Sequence, residues 1–379
     1  MNSKDTRAPA TIVVAFGTRP EATKLFPVVR ALEALPRPPV VRVLCTGQHR
    51  ELLQDVNHDI RLRIWRDLEV IEPGQPLHQL VAKIIDRTGA LFTAEPPDAV
   101  IVQGDTVSAM GAGMAAFFAG VPVYHVEAGL RTHDLASPFP EEMSRQVIGR
   151  FATHHFAPTE GARLNLLNEG ITDAAISVTG NTAVDAVRIL AGEPFEGKAL
   201  GGVPFDTHRV VVTTLHRREN HGERLRTILQ QVLDLLARDE GLAFLIPVHP
   251  SPAVRATFQA ILGVPGGVPC HPRLFLTEPL TYREMIEAMR RCWLVATDSG
   301  GLQEEAPTFG KLVLVMRDTT ERPEGLGKGI SRLMGTDLRT GIEAARLGEF
   351  VWPAGAVNPY GDGFAAERIA ARIAADLGV

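Results

Sequence analysis

The sequence has little cysteine and no long apolar run, and both absences restrict what the protein can be. Cys45, Cys270 and Cys292 are the three cysteines among 379 residues, and none lies in a C-x-x-C pair. An odd number with this spacing favours neither a disulfide framework nor a thiolate zinc site, so a reducing, cytoplasmic setting fits best. No stretch approaches the roughly 20 apolar residues of a membrane-spanning helix, and the polar start of the chain lacks the apolar core of a secretory signal. We therefore expect a soluble protein.

Several common ligand signatures are missing as well. The net charge of −5 argues against a general nucleic-acid or anionic-membrane binder. The segment FGTRPEATK matches neither G-x-G-x-x-G nor a P-loop, which disfavours an NAD enzyme or an ATPase. The 12 histidines include no H-E-x-x-H motif and no close Cys/His cluster, so no metal site is predicted.

The order of the apolar segments indicates an α/β fold. Short apolar runs alternate with helical patterns such as PEATKLFPVVRALEAL, as parallel βαβ units require. The runs of the first half are TIVVAF, VVRVLCT, DAVIVQ, VPVYHV, THHFAP and AISVTG, and those of the second half are RVVVTTL, LAFLIPV, RLFLTEP, WLVATD and KLVLVM. Because the pattern restarts, we predict two Rossmann-like, doubly wound domains.

The predicted domain boundary lies near residue 185. Residues 191–208 are rich in Gly and Pro and have no clear periodicity, which is typical of a connection. We therefore predict a first domain over 1–185 and a second over 186–362. An amphipathic helix is expected over about 363–379. The sequence leaves open which domain it closes, and we assign it to the first.

Polar residues follow the predicted strands in both domains. The strand ends lead, in chain order, into Arg19, Gln48, Asp105, Glu127, His216, His249 and Asp298. Ligands of open α/β sheets collect beyond the carboxyl ends of the strands. Two such rims predict a cleft between the domains that takes a small ligand.

The segment DSGGLQEEAP is a candidate phosphate site. Ser299, Gly300 and Gly301 stand where a strand turns into a helix, and such a turn lets a phosphate approach backbone N–H groups. An ordinary Gly-rich turn is an equally good interpretation of this segment alone. Arg19 and Lys24 could reach a diphosphate, although an exposed cationic helix face is the simpler alternative.

Candidate acid/base groups are concentrated in residues 124–146, YHVEAGLRTHDLASPFPEEMSRQ. Glu127 follows the apolar run VPVYHV, which predicts a buried strand rather than a solvated loop. In the second half, His216 follows RVVVTTL directly, and histidine is the side chain whose reference pKa lies nearest neutrality.

Nine collinear motifs together resemble one known family. They are FGTRPEATK, TGQHRELL, QGDT, HVEAGLRTHDLASPFPEEMSRQ, TGNTAVDA, HRREN, PVHP, TDSGGLQEEAP and VMRDTTERPE, and they cover about residues 10–340. This set resembles the non-hydrolysing UDP-N-acetylglucosamine 2-epimerases of bacteria. The resemblance implies two Rossmann-like domains in a glycosyltransferase-B-like arrangement, usually as a homodimer, and no metal or NAD.

The implied reaction interconverts UDP-N-acetylglucosamine and UDP-N-acetylmannosamine. The proton on sugar C2 has no carbonyl beside it, so it cannot be removed simply to give an enolate. The family eliminates UDP across C1 and C2 to give 2-acetamidoglucal, then adds UDP back with protonation of C2 on the other face. Such a route explains the many carboxylates and serves the synthesis of cell-surface polysaccharides.

The resemblance also implies roles for particular residues. The positions credited with catalysis are Asp105, Glu127, Glu141 and His216, with the base and the acid not distinguished. The positions that bind the UDP-sugar are Arg19, Lys24, His249, Ser299, Gly300, Gly301, Glu305 and Arg322. Some members hold a second UDP-N-acetylglucosamine as an activator, and Gln48, Arg217 and His249 match positions used there.

Three other functions remain open from the sequence. A hydrolysing epimerase would release free N-acetylmannosamine and UDP, and a glycosyltransferase with the same fold would need an acceptor. A non-catalytic sensor of nucleotide-sugars would bind UDP and tolerate loss of Glu127.

Overall fold

The computed structural model of the chain describes residues 8–47, 60–72, 74–195, 197, 199–263 and 270–379. The strands are β1 (Thr11–Phe16), β2 (Val40–Cys45), β3 (Ile64–Asp67), β4 (Ala99–Gln103), β5 (Val123–Val126), β6 (His154–Ala157), β7 (Ile176–Val178), β8 (Arg209–Thr214), β9 (Leu242–Pro247), β10 (Leu274–Thr277), β11 (Leu294–Thr297), β12 (Val313–Val315) and β13 (Ser331–Leu333). The α-helices are α1 (Arg19–Glu33), α2 (Leu77–Ala94), α3 (Val107–Phe118), α4 (Glu141–Phe151), α5 (Glu160–Asn168), α6 (Thr182–Ala191), α7 (Glu223–Arg238), α8 (Pro252–Ile261), α9 (Tyr282–Arg291), α10 (Gly300–Glu305), α11 (Pro323–Gly327), α12 (Leu338–Arg346) and α13 (Ala365–Leu377). Within these residues, no helix has the length and apolar character needed to cross a membrane.

The chain divides into two compact units. One unit runs up to Ala186 and also contains Gly361–Val379, and the other is Val187–Tyr360. In the first unit, α13 contacts α1. It is further attached by Asp185, whose Oδ1 accepts a hydrogen bond of 2.8 Å from the Ala366 backbone N–H.

Each unit contains one parallel sheet. The order is β3-β2-β1-β4-β5-β6-β7 in the first and β10-β9-β8-β11-β12-β13 in the second. In both, the chain starts near the middle, winds outward in one direction, and then crosses back to the other side. This is the doubly wound topology, whose switch point lies between β1 and β4 and between β8 and β11. The predicted α/β class with two Rossmann-like units is confirmed.

The central strands are buried on both faces because helices cover the sheets. Ile12, Val13 and Val14 of β1 have no exposed surface, and neither do Val211 and Val212 of β8. Continuous runs of β-branched residues suit such strands, since a parallel sheet has no solvated face. All eleven apolar runs that the sequence predicted as strands form strands.

Two strands, β3 and β13, were not predicted. Both lie at a sheet edge and pair with a single neighbour. They are short, are only partly buried, and carry the arginines Arg66 and Arg332. An edge strand needs no continuous apolar run, and β3 and β13 lack one, whereas the edge strands β7 and β10 lie in the predicted runs AISVTG and RLFLTEP.

Close packing of α2 against α3 depends on a glycine, which gives a test of the fold. A Cβ added at Gly111 would lie 2.7 Å from Cγ2 of the fully buried Ile84. We expect Gly111→Ala to lower the free energy of unfolding by about 1–3 kcal/mol through overpacking. Urea denaturation would measure the change.

Gly89 on α2 is the matched control. It is also helical, but a Cβ there would meet nothing within 4 Å. Because alanine favours a helix more than glycine does, Gly89→Ala should leave stability unchanged or raise it by up to ~1 kcal/mol. Equal changes in the free energy of unfolding for Gly111→Ala and Gly89→Ala would contradict the close packing at Gly111.

Candidate active site

Glu127 stands directly after β5 in a constrained position. Its φ of 61° is left-handed, which is uncommon outside glycine and indicates that the surroundings fix the backbone. Lys24 Nζ donates to both carboxylate oxygens, at 2.8 and 2.6 Å, and Gln103 Nε2 donates to Oε2. Only 8% of Glu127 is exposed, so the ammonium stabilises a buried negative charge.

Asp105 follows β4, the strand beside β5, and is paired with an arginine. Arg145 donates to Asp105 Oδ2 from Nε at 2.8 Å, and its NH2 lies 2.6 Å from the same oxygen. The third guanidinium nitrogen donates to Glu142 Oε2 at 3.1 Å. Glu142 and Arg145 are one turn apart on α4, and both are buried. The chain of Asp105, Arg145 and Glu142 therefore holds the start of α4 against the end of β4.

Glu141, the first residue of α4, differs from its neighbours. Its Oε2 is buried and has no hydrogen-bond partner among the described residues. The neighbouring Glu142 accepts hydrogen bonds from the backbone N–H groups of Thr132 and His133. Asp105, Glu127 and Glu141 thus lie at the carboxyl edge of the first sheet, and Glu141 differs from the other two by a buried oxygen without a partner among the described residues.

His125 orients the loop that carries Asp105. Its Nε2 lies 2.7 Å from the carbonyl oxygen of Gly104, and the Gly104 N–H donates to Val126 O at 2.9 Å. Burial lowers the pKa of His125 to about 4, although the hydrogen bond to Gly104 partly opposes this shift. The ring is therefore neutral at physiological pH, and Nε2 is the protonated nitrogen because it faces a carbonyl.

Glu21 is the buried carboxyl that joins the turns after β1 and β4. Oε2 accepts from the backbone N–H groups of Gly17 and Thr18, at 3.0 and 2.7 Å, and Oε1 accepts from Thr106 Oγ1 at 2.7 Å. Desolvation raises the pKa of Glu21 from an ordinary value of 4.5 to about 7 despite these bonds. Arg19 lies half-buried at the start of the same helix.

The second unit places His216 at the end of β8, beside the end of β11. His216 Nδ1 lies 3.0 Å from Asp298 Oδ1, and the His216 ring stacks on that of His249 at 5.7 Å between centroids. Burial and the nearby His216 and His221 lower the pKa of His249. Burial opposes the charge of Asp298, but its bonds to His216 and Asn220 outweigh that effect and lower its pKa.

The turn after Asp298 packs closely against Arg322. A Cβ added at Gly300 would lie 2.9 Å from Arg322 Cζ, so a larger residue here would displace the guanidinium. Arg322 Nε donates to Glu304 Oε1 at 2.9 Å, and Tyr282 Oη donates to Glu305 Oε1 at 3.1 Å. Ser299 and Gly301 flank Gly300, so the predicted UDP-binding residues of this unit meet at one edge of its sheet.

Glu321 lies between two arginines beside this turn. Arg317 NH1 donates to Glu321 Oε2 at 2.9 Å, and Arg322 NH1 donates to it at 3.4 Å. Burial opposes ionisation, but Arg322 and Arg317 outweigh it and lower the pKa of Glu321 to about 2. Arg322 is therefore held in place by fixed negative charges.

Of the three residues predicted for an activator, two can be placed, Arg217 and His249. Gln48 lies outside the described residues. Arg217 follows His216, its backbone N–H donates to Asp298 Oδ2 at 2.9 Å, and its Nε is buried without a hydrogen-bond partner among the described residues.

Sequence reasoning gave no role to several residues that support the site. They are Gln103, Glu142, Arg145 and Asp298. Their signal was position: Gln103 and Asp298 end predicted strand runs, and Glu142 and Arg145 lie in the acidic segment 124–146. Within the described residues, no group of three or more His, Cys, Asp or Glu side chains is arranged to hold a metal ion.

Comparison with known proteins identifies the family. The family model for UDP-N-acetylglucosamine 2-epimerase matches residues 34–374. The UDP-N-acetylglucosamine 2-epimerase of Salmonella typhimurium is 41% identical over 370 residues, which cover 94% of this chain and 96% of that protein.

Solved structures of UDP-GlcNAc 2-epimerases have a similar fold. The UDP-GlcNAc 2-epimerase of Neisseria meningitidis bound to UDP-GlcNAc has a TM-score of 0.86 at 37% identity, covering 96% of this chain and 99% of that one. The enzyme of Methanocaldococcus jannaschii in complex with UDP-GlcNAc and UDP has a TM-score of 0.78 at 30% identity, covering 97% and 99%.

The two doubly wound units, with polar residues at the carboxyl edges of their sheets, define an α/β enzyme of the glycosyltransferase-B-like class. The chain belongs to the UDP-N-acetylglucosamine 2-epimerase family. The predicted family and the predicted enzyme class, an isomerase, are confirmed.

The raised pKa of Glu21 predicts how stability depends on pH. Because the folded pKa of about 7 exceeds the ordinary value of 4.5, the folded state binds more protons between these values. The contribution of Glu21 to stability is therefore present below pH 4.5 and is lost as the pH rises to about 7. Glu21→Gln keeps the shape of the side chain but cannot ionise, so it should not lose stability over this pH range. Between pH 4.5 and 7.5, its free energy of unfolding should gain about 1–3 kcal/mol relative to the unmodified protein.

Urea denaturation at both pH values would measure the difference, with Glu33→Gln at an exposed position of α1 as the control for losing one carboxylate. If Glu21→Gln shows the same pH dependence as the unmodified protein, the buried carboxyl does not titrate as described.

Proposed function

We propose that the protein is a non-hydrolysing UDP-N-acetylglucosamine 2-epimerase, which interconverts UDP-N-acetylglucosamine and UDP-N-acetylmannosamine. The observation that carries the proposal is the arrangement of Glu127 and Asp105. Both follow neighbouring strands, and each is paired with a cation whose side chain is at most 11% exposed, Lys24 or Arg145. Family membership, and relatives solved with UDP-GlcNAc bound, support the substrate.

The chemistry requires acid/base groups and a stabilised diphosphate. In the forward direction a base takes the C2 proton, the C1–O bond to the diphosphate breaks, and a C1–C2 double bond forms. UDP then adds back to C1 while an acid delivers a proton to the opposite face of C2. No electrons are gained or lost overall, so no redox partner is needed. A positioned acid or base contributes about 10²–10⁴-fold to the rate of such a step.

We assign the acid/base roles to Asp105, Glu127, Glu141 and His216. In the first unit, Glu141 Oε2 has no hydrogen-bond donor among the described residues, whereas Glu127 accepts from Lys24 and Gln103. Single substitutions of these four residues would distinguish the base from the acid. A variant that lacks the base for a given epimer should no longer exchange the C2 proton of that epimer with deuterium from D₂O.

Nucleotide binding is assigned mainly to the second unit. The proposed UDP ligands there are His249, Ser299, Gly300, Gly301, Glu305 and Arg322, with Arg19 and Lys24 from the first unit. Arg322 suits a diphosphate because its planar guanidinium bonds two oxygens at once, and Glu304 and Glu321 fix its direction. Lys24 also stabilises Glu127, so its loss should affect both turnover and binding.

Four finer parts complete the proposal, and all but the cytoplasmic location rest on the family resemblance. We propose a cytoplasmic homodimer that serves surface-polysaccharide synthesis, and a second UDP-N-acetylglucosamine as activator near Gln48, Arg217 and His249. Hyperbolic kinetics from pure UDP-N-acetylmannosamine would contradict the activator. A monomer in sedimentation would contradict the dimer.

The direct test of the activity is a proton and phosphorus NMR time course with UDP-N-acetylglucosamine in D₂O. We expect UDP-N-acetylmannosamine with deuterium at C2 and little free UDP, without added metal or NAD. Accumulation of UDP and N-acetylmannosamine would instead show the hydrolysing reaction. An unchanged spectrum would contradict the epimerase, and turnover after an acceptor is added would show a glycosyltransferase.

Substitution of Glu127 separates catalysis from binding. Glu127→Gln keeps the size of the side chain and should retain the fold, yet lower kcat by at least ~10²-fold. UDP affinity in titration calorimetry should change less than about threefold, because the proposed UDP ligands lie mainly in the second unit. Asp105→Asn should behave likewise.

The exposed Glu160→Gln is the matched control and should retain normal turnover. Near-normal rates in a folded Glu127→Gln protein would contradict the assignment. A nucleotide-sugar sensor would be favoured if the unmodified protein binds UDP without turnover and Glu127→Gln binds it equally well.

A further inference from the structure

Asp298 holds the loop of His216 through an unusually complete set of hydrogen bonds. It follows β11, has no exposed surface, and faces the end of the neighbouring strand β8. Its carboxylate accepts from two backbone N–H groups, those of His216 and Arg217, and from two side chains, those of Asn220 and His216. A carboxylate with this many donors is ionised and can only accept.

The two oxygens of this carboxylate have different partners. Oδ2 accepts from His216 N, Arg217 N and Asn220 Nδ2, each at 2.9 Å. Oδ1 lies 3.0 Å from the ring nitrogen Nδ1 of His216 and 3.1 Å from the His216 backbone N–H. Three donors therefore fix Oδ2, and the imidazole is the side chain that contacts Oδ1.

This contact determines which ring nitrogen carries the proton. Because Asp298 can only accept, His216 Nδ1 has to be the N–H donor, and the neutral ring then has its lone pair on Nε2. The other groups around the ring are His249, stacked on it, His221, whose Nε2 lies 3.3 Å from His216 O, and the neighbouring Arg217. The side chain of His216 remains 35% exposed, so the ring is accessible to a ligand.

We propose that Asp298 is a positioning residue for the epimerisation, which holds His216 in its Nδ1–H tautomer and directs Nε2 to the reacting UDP-sugar. In this tautomer neutral His216 accepts a proton at Nε2, and the charged ring donates one from the same atom. The proposal rests on the acid/base role assigned to His216. It goes beyond that role by naming the reactive nitrogen and the residue that selects it.

A purely structural role for Asp298 is the alternative. In that case the carboxylate only secures the turn through the backbone N–H groups and Asn220, and the tautomer of His216 has no consequence for turnover. The two roles predict different behaviour for a variant that keeps the turn and reverses the ring contact.

Asp298→Asn is such a variant. Its amide oxygen should take the place of Oδ2, where three donors converge, and this puts the amide NH₂ at the position of Oδ1. The NH₂ group then donates to His216 Nδ1, which forces the proton onto Nε2. The turn is kept, but the reactive nitrogen loses its lone pair.

The experiment measures tautomer and turnover together on the full chain. Nitrogen-15 NMR of histidine-labelled protein, with the His216 signals assigned by their loss in His216→Gln, should show the Nδ1–H form above pH 8 in the unmodified protein. In Asp298→Asn the Nε2–H form should predominate. With UDP-N-acetylglucosamine, kcat should fall at least ~10²-fold, while UDP affinity should change less than about threefold.

Asn220→Ser is the control, because it removes one donor to Asp298 Oδ2 and leaves the His216 contact intact. It should lower the thermal midpoint, keep the Nδ1–H form, and hold kcat within about threefold.

The Nε2–H form in the unmodified protein would overturn the proposal, and this readout does not depend on whether Asp298→Asn folds. Normal kcat in an Asp298→Asn protein with the reversed tautomer would overturn it as well. If the unmodified protein epimerises no UDP-sugar, the proposed function fails, and the tautomer measurement shows separately whether Asp298 sets the ring.

Discussion

Parallel strand pairing is the constraint on which the rest of the structure depends. When all strands of a sheet run in one direction, their carboxyl ends and the loops that follow them lie along one edge. Asp105 and Glu127 are neighbours in space for this reason, although 22 positions separate them in the chain. The same pairing between β8 and β11 brings Asp298 to His216.

Burying several carboxyl groups at one edge of a sheet disfavours their charged forms. The structure shows two outcomes, pairing with a cation or a raised pKa. Glu127 and Asp105 are each paired with a cation, so their negative charges are stabilised despite low exposure. Among the residues that the structure describes, the donors to Glu21 are all neutral, and there burial outweighs the hydrogen bonds, so that its pKa rises to about 7. Two kinds of carboxyl environment thus occur at the carboxyl edge of one sheet, after β1, β4 and β5.

The strands of the sheet centres could be predicted because burial on both faces requires continuous apolar sequence. The edge strands β3 and β13 could not, since exposure relaxes that requirement. At the site, strand ends and motifs indicated which residues matter, but not their partners. Lys24 was predicted to bind a diphosphate, and in the structure it pairs with Glu127, 103 positions away. Such pairings depend on how distant segments meet, and no local pattern in either segment encodes them.

Helix α13 gives the first unit an unusual order of assembly. Its contacts with α1 and Asp185 are made by residues at the far end of the chain, after the whole of the second unit. During synthesis on the ribosome, the surface of α1 that α13 covers therefore stays open until the second unit has emerged. The first unit is completed last, even though its strands are made first. Nascent chains that stop before Gly361 would thus expose an apolar surface that the finished protein conceals.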